Sequence, residues 1–183
     1  MAKYPKLHTT NLAQELYTPP SATAQIVPFI PKGLVVWEMC YGRGDMADAL
    51  RGSGINVVGN NDMDCFIHEP EAYDIIVTNP PYRNNKDFLE RAIKSGKPFA
   101  LLMRLEHIGG VRASDLLKDL DIKILIPKRR INFITPKMRD GKSVGGSPFH
   151  TIWITYKLVN DPRQIIYLGE SIEAERNKLK GVK

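Results

Sequence analysis

The residues best suited to chemistry stand together in Asp74-Ile75-Ile76-Val77-Thr78-Asn79-Pro80-Pro81-Tyr82. A β-branched run delivers an amide, two prolines and an aromatic ring at its carboxyl end. Successive prolines fix φ and remove two backbone donors, which leaves their carbonyls stiffly placed to accept hydrogen bonds. Asn79 adds a side-chain carbonyl acceptor, and Tyr82 a flat stacking surface. Acceptors beside a flat side chain suit an exocyclic amino group on a planar ring. The competing reading of the same residues is an ordinary strand-ending turn.

A second group is Trp37-Glu38-Met39-Cys40-Tyr41-Gly42-Arg43-Gly44-Asp45. Glycines at i and i+2 after a strand let the backbone turn sharply and approach a ligand without a Cβ in the way. The dinucleotide pattern GxGxxG does not fit, because Met46 and Ala47 occupy the region of its third glycine. A P-loop is excluded too, since no Gly-Lys-Ser/Thr follows. Cys40 and Cys65 have no CxxC and no His at metal spacing, so no metal site is expected and both read as small buried apolar groups. His107 and His150 stand beside no nucleophile and no metal-ligand spacing, and read as ordinary polar or core histidines.

Charge supplies the third feature. The chain of 183 residues carries a net +6. Lys128, Arg129, Arg130, Lys137, Arg139 and Lys142 stand against the single Asp140 between Pro127 and Phe149. Too many prolines and glycines interrupt 127–149 for a regular element. A basic excursion beside a core strand suits gripping phosphates, although a solvated loop of this charge is the plainer alternative.

The elements that must carry these groups alternate. Strands are expected at Leu34–Cys40, Ile55–Gly59, Asp74–Thr78, Lys97–Met103 and Ile122–Ile126, with a late strand at Thr151–Lys157. Helices are expected at Pro20–Pro28, Asp45–Arg51, Lys86–Ser95 and Ala113–Leu120, with a further charged one at Ser171–Lys180. In Lys86–Ser95, Phe88, Leu89, Ala92 and Ile93 share a face. Buried strands separated by single helices predict an α/β fold, a mostly parallel twisted sheet with helices on both faces. The length suits a single domain over 1–183, with a core of about 16–158, the excursion 127–149, a short tail 160–183 and no separate target-recognition domain. A composition of 43% apolar and 25% charged residues excludes wholesale disorder and a disulfide scaffold. No apolar run reaches the roughly 18 residues that span a bilayer, and no signal sequence is evident, so a cytoplasmic protein with no membrane partner is expected.

Asn79-Pro80-Pro81-Tyr82 resembles the (D/N/S)PP(Y/F/W) motif of S-adenosylmethionine-dependent amino methyltransferases. Glu38–Gly44 resembles their glycine-containing cofactor motif, and Leu16-Tyr17-Thr18-Pro19 the preceding cofactor motif of the adenine-N6 subset. Asp74–Arg91, Gly96–Leu102 and Lys128–Phe133 are similar to small phage-type DNA adenine-N6 methyltransferases. The resemblance covers about residues 16–158 and implies a Rossmann-like class I methyltransferase fold with a late antiparallel strand.

It further implies S-adenosyl-L-methionine as cofactor and methyl transfer to adenine N6 in DNA. Asn79, Pro80, Pro81 and Tyr82 would form the catalytic group, with Asn79 and the Pro80 carbonyl accepting from the amine. Thr18, Glu38, Cys40, Gly42 and Gly44, together with Asn79, would line the cofactor. The family's ribose-holding acid is displaced here, because Gly59 is followed by Asn60, Asn61 and then Asp62. Either Asn61 or Asp62 takes that role. Asp64, with Phe66 nearby, matches the position reading the cofactor's adenine, or serves as a turn cap. RNA adenine, cytosine N4 and protein glutamine remain alternative acceptors, and a non-catalytic nucleic-acid-binding subunit is an alternative of another class. A homodimer or a partner subunit is compatible with all of these.

If the excursion neutralises about five phosphates, log affinity for DNA falls with log salt concentration at a slope of roughly −4 to −5. Titrating binding between low and moderate salt measures this. A slope near zero removes the excursion from DNA binding.

Overall fold

Strand residues buried on both sides can only lie in the middle of a layered structure. The computed structural model describes residues 16–62, 64–134 and 149–169. Within it, seven strands form one sheet in the order β2 (Asn56–Val58), β1 (Val35–Trp37), β3 (Ile75–Thr78), β4 (Phe99–Arg104), β6 (Thr151–Tyr156), β5 (Ile122–Pro127) and β7 (Ile165–Leu168). Strands β1 to β4 are mutually parallel where they pair. Strand β6 runs antiparallel to both β4 and β5, and β5 pairs in parallel with β7. This is the expected α/β architecture with a late antiparallel strand.

Alternation along the strands sorts the apolar side chains onto two faces. Val36, Ile75, Val77, Ala100, Leu102 and Trp153 form one cluster with Met46 and Leu50 of α2 (Asp45–Gly52) and Ala22 of α1 (Pro20–Thr23). Trp37, Ile76, Phe99, Leu101, Ile152 and Ile154 form the other with Phe88, Leu89 and Ala92 of α3 (Asn85–Lys94) and Leu117 of α4 (Val111–Leu117). Fully burying each large side chain contributes about 1.5–3 kcal/mol, so the four strands at the centre of the sheet carry most of the fold. Strand order reverses at β1, which has β2 on one side and β3 on the other. A crevice opens at such a reversal outside the carboxyl ends of the strands. Both motifs leave their strands there.

Two expectations need correcting. The helix predicted over Pro20–Pro28 is a single turn, Pro20–Thr23, followed by a 3-10 turn at Val27–Phe29. Pro28 has no N–H for an α-helical bond and disfavours helical geometry at Val27. Strand β7 lies outside the expected strands, because only Ile166 of its four residues is buried and the apolar signal is short. The expected helix Ser171–Lys180 and the basic residues Lys137, Arg139 and Lys142 lie outside the described residues. No described helix is long and apolar enough to cross a membrane. Among the described residues, no group of three or more His, Cys, Asp or Glu side chains is placed to hold a metal ion.

Gly59 brings the exit of β2 against the exit of β1. Its φ is +126°, and a Cβ there would stand 2.6 Å from the Glu38 carbonyl oxygen. Gly59→Ala is therefore expected to destabilise the fold by more than about 2 kcal/mol in urea denaturation, from backbone strain and the clash together. A loss below about 0.5 kcal/mol would show that the two strand ends can separate freely.

Candidate active site

At the carboxyl end of β1, Glu38 is buried, with 2% of its surface exposed. Thr78, the last residue of β3, donates its hydroxyl hydrogen to Glu38 Oε1. The Cys40 backbone N–H donates to the same carboxylate oxygen at 3.2 Å and to Thr78 Oγ1 at 3.0 Å. The Glu38 N–H donates to the Val58 carbonyl at 3.0 Å, which ties in the end of β2. Burial pushes the Glu38 carboxyl up to about 7, and the bonds from Thr78 and Cys40 only partly offset it. Burial also raises the Cys40 thiol well above its ordinary value, and neighbouring Cys65 and Glu38 raise it further. Cys40 is thus a neutral thiol wall, not a nucleophile.

The chain then turns through Gly42 and Gly44 into α2. Gly44 lies against Tyr41, where a Cβ would stand 2.9 Å from the ring. Arg43 reaches out of this turn. Its guanidinium holds Asp45 through two bonds, at 2.8 and 3.0 Å, and lies 3.7 Å from the centre of the Tyr17 ring. It spans the cleft between the glycine turn and the amino-terminal segment.

That segment is fixed by long-range bonds. Tyr17 and Ile134 exchange backbone hydrogen bonds of 2.8 and 3.0 Å as an isolated antiparallel bridge. Asn79, one residue past β3, donates from Nδ2 to the Leu16 carbonyl at 3.3 Å and to Thr18 Oγ1 at 3.0 Å. Only the NH₂ end can donate to a carbonyl, so these bonds fix which way the amide faces. Its Oδ1 is then left buried with no hydrogen-bond partner. An unsatisfied buried acceptor beside a cleft is a place for a ligand's N–H.

One cleft is lined by Thr18, Glu38, Cys40, Gly42 and Asn79, all of them expected site residues. Leu16, Tyr17, Tyr41, Arg43, Asp45 and Met46 complete its walls. The structure does not bring Gly44, Asn61, Asp62, Asp64 or Phe66 into that lining. Asn61 and Asp62 are exposed, in a turn closed by the Asp62 N–H donating to Asn60 Oδ1 at 2.9 Å. Asp64 caps a turn through the Phe66 N–H at 2.9 Å, and Phe66 packs on Phe88 with ring centres 4.9 Å apart.

Pro80 is buried, and Pro81 leads in extended geometry into a 3-10 turn at Tyr82–Asn84. The Tyr82 ring is not an open platform. Phe149, Phe133 and His107 meet it edge-on at 5.3, 6.0 and 6.1 Å, and the Arg104 guanidinium lies 4.6 Å from its centre. Burial raises the Tyr82 phenol far above its ordinary value, and its hydroxyl has no partner. Lys128, Arg129 and Arg130 are exposed just past β5, at the same end of the sheet.

Thr78, Arg43 and Arg104 escaped the sequence reading. Thr78 ends a buried strand, where a hydroxyl gives no local sign of a partner, and Arg43 lies between two glycines whose turn is the stronger local signal. Arg104 carried no local signal at all.

No family model matches the chain, and no curated protein is similar to it. Solved structures are similar in fold. A protein of Listeria monocytogenes described as a class I S-adenosylmethionine-dependent methyltransferase superposes with a TM-score of 0.54 at 11% identity, over 94% of this chain and 72% of that one. An Agrobacterium tumefaciens protein described as a predicted O-methyltransferase gives a TM-score of 0.41 at 13% identity, over 82% and 85% of the two chains. The first similarity, with the strand order above, assigns the chain the Rossmann-like class I methyltransferase fold.

Glu38 gives this site a pH signature. Its folded-state value near 7 lies above its ordinary 4.5, so the folded protein holds the proton more tightly than the unfolded chain. Stability from this group is full below about pH 4.5 and is lost as pH rises to about 7, a change of about 3 kcal/mol. Glu38→Gln keeps an acceptor for Thr78 and Cys40 but cannot ionise. It should match the wild type near pH 4 and exceed its unfolding free energy at pH 8 by about 1–3 kcal/mol. Parallel pH curves for the two proteins would place the Glu38 carboxyl at its ordinary value.

Proposed function

We propose that the protein transfers a methyl group from S-adenosyl-L-methionine to the N6 amine of adenine in DNA. The observation that carries this reading is the Asn79 amide, whose NH₂ is anchored on Leu16 and Thr18 while its Oδ1 stays buried and unpaired. The cofactor's fit rests on the same cleft. Glu38 is a buried carboxylate, and Thr18, Cys40 and Gly42 line the space between it and Asn79. A cationic ligand placed there would find acceptors and a neutral wall, and these four residues with Asn79 are the ones that would hold it. When bound, the cofactor supplies an electrophilic methyl carbon on a positively charged sulfur that becomes a neutral thioether as the carbon–sulfur bond breaks.

The chain's own residues do the rest. Asn79 Oδ1 accepts from one N6 hydrogen, and the Pro80 carbonyl supplies a second stiff acceptor beside it. Accepting both hydrogens draws the N6 lone pair out of conjugation and aims it at the incoming carbon. The new bond forms with that pair, and one N6 proton leaves to solvent. Holding the partners in line supplies several kcal/mol of barrier reduction. The exposed Lys128, Arg129 and Arg130 at this end of the sheet favour a polyanion over a protein acceptor.

The test is transfer from labelled cofactor to duplex DNA, single-stranded DNA, RNA and protein in parallel, with digestion and identification of the product. N6-methyladenine from DNA is expected, and Asn79→Ala should lower its rate by about 10²–10³-fold. Label in RNA, in cytosine or in glutamine would replace the acceptor. Cofactor binding with no transfer to anything would make the chain a non-catalytic subunit.

A further inference from the structure

Among the described residues, five buried side-chain polar atoms lack a hydrogen-bond partner, and four of them lie at one end of the sheet: Asn79 Oδ1, Tyr82 Oη, Arg104 Nε and Thr151 Oγ1. Native proteins leave few such atoms, so their gathering in one place calls for a ligand. Arg104 ends β4, Thr151 begins β6, and the two face each other directly across the antiparallel pair. Opposed residues project to the same face. Here it is the face of Ala100, Leu102 and Trp153, on which Tyr82 and Phe149 also pack.

Arg104 is held by rings more than by hydrogen bonds. Its guanidinium lies 3.8 Å from the centre of Phe149 and 4.6 Å from that of Tyr82, and Nη1 reaches Glu106 at 3.4 Å. Aromatic contacts fix the plane of the guanidinium while leaving its in-plane Nε–H unsatisfied. A permanent donor requires an acceptor from its ligand, and Asn79 Oδ1 requires a donor. The amino edge of adenine presents both side by side, as the N6 hydrogens and N1. Guanine or uracil would set a carbonyl where Asn79 needs a donor.

We infer that these atoms form a substrate subsite in which Arg104 Nε–H donates to adenine N1 while Asn79 Oδ1 accepts from N6, with the Tyr82 and Thr151 hydroxyls closing its polar rim. This rests on the adenine reading above and adds to it a substrate-binding residue, Arg104, outside every motif. Engaging the N1 lone pair also masks the ring nitrogen that competes with N6 for the methyl group.

The experiment uses the full chain and DNA in whichever strand state the transfer assay accepts. Three substrates are compared: adenine, 1-deazaadenine throughout, and 7-deazaadenine throughout. Wild-type kcat/KM should fall about 10–100-fold on 1-deazaadenine and less than about 3-fold on 7-deazaadenine. Arg104→Met should transfer to adenine at the reduced level and no longer distinguish adenine from 1-deazaadenine. Arg104→Lys, which keeps the charge but loses the planar donor, should discriminate by less than about 3-fold, and it serves if the methionine variant does not fold. In the free protein, Thr151→Val removes an unpartnered hydroxyl and should raise Tm by about 2 °C or more. The subsite is overturned if Arg104→Met keeps the wild-type penalty, if the penalty falls on 7-deazaadenine, or if Thr151→Val lowers Tm. Wild type that methylates adenine with no loss on 1-deazaadenine overturns the subsite and leaves the proposed function standing. Wild type that methylates no adenine overturns the proposed function and, with it, the subsite.

Discussion

The hydrogen bond from Thr78 to Glu38 is the contact on which the geometry of the site depends. It joins the ends of β1 and β3 just past their paired residues, where the strand order reverses. The same carboxylate oxygen receives the Cys40 N–H, and the Glu38 N–H reaches back to Val58. Three strand ends are thereby held by one acidic residue. A carboxylate removed from water is an expensive way to do this, and an apolar pair would hold the strands more stably. Its retention at the mouth of a ligand crevice is more readily explained by a positively charged visitor than by folding.

Closure on the other side of the crevice comes from residues far apart in sequence. The bridge between Tyr17 and Ile134 brings the amino-terminal segment onto the chain leaving β5. Asn79 then anchors its amide on Leu16 and Thr18, and Phe133, the neighbour of Ile134, meets the Tyr82 ring. The cleft beside Glu38 and the aromatic nest around Tyr82 are therefore one mechanical unit. Displacement of residues 16–18 would release Asn79, and with it the direction in which Oδ1 faces.

Local pattern made most of this fold legible. The runs at Ile75–Thr78 and Thr151–Thr155 are buried throughout and made of β-branched residues with one Trp, so they announce strands without any knowledge of their neighbours. The periodicity of α3 buries Phe88, Leu89 and Ala92 as expected. The pattern over Pro20–Pro28 reads as one helix because a proline at N1 begins a helix, whereas Pro28 stops one. The strand at Ile165–Leu168 gives little signal because this edge strand buries only Ile166 of its four residues. The site divided along the same line. Thr18, Glu38, Cys40, Gly42 and Asn79 converge because strand ends and tight turns are local features. Arg104 and Thr151 meet only through β4–β6 register, which no stretch of sequence encodes on its own.

Burial and satisfaction part company along single strands. In β4, Ala100 and Leu102 are wholly buried among apolar partners, and two residues later Arg104 carries an orphaned donor. In β6, Trp153 is wholly buried while Thr151, two residues earlier, carries an orphaned hydroxyl. Each strand therefore spends its middle on stability and its end on unmet polarity, at a penalty of about 1–3 kcal/mol for each buried orphan. Such a gradient can persist only because the apolar rows are strong enough to hold the polar ends in place. It also explains why Tyr82 is enclosed. The guanidinium of Arg104 is flat and cationic and already lies over the Tyr82 ring, where aromatic contact and Glu106 hold it while its Nε–H has no acceptor.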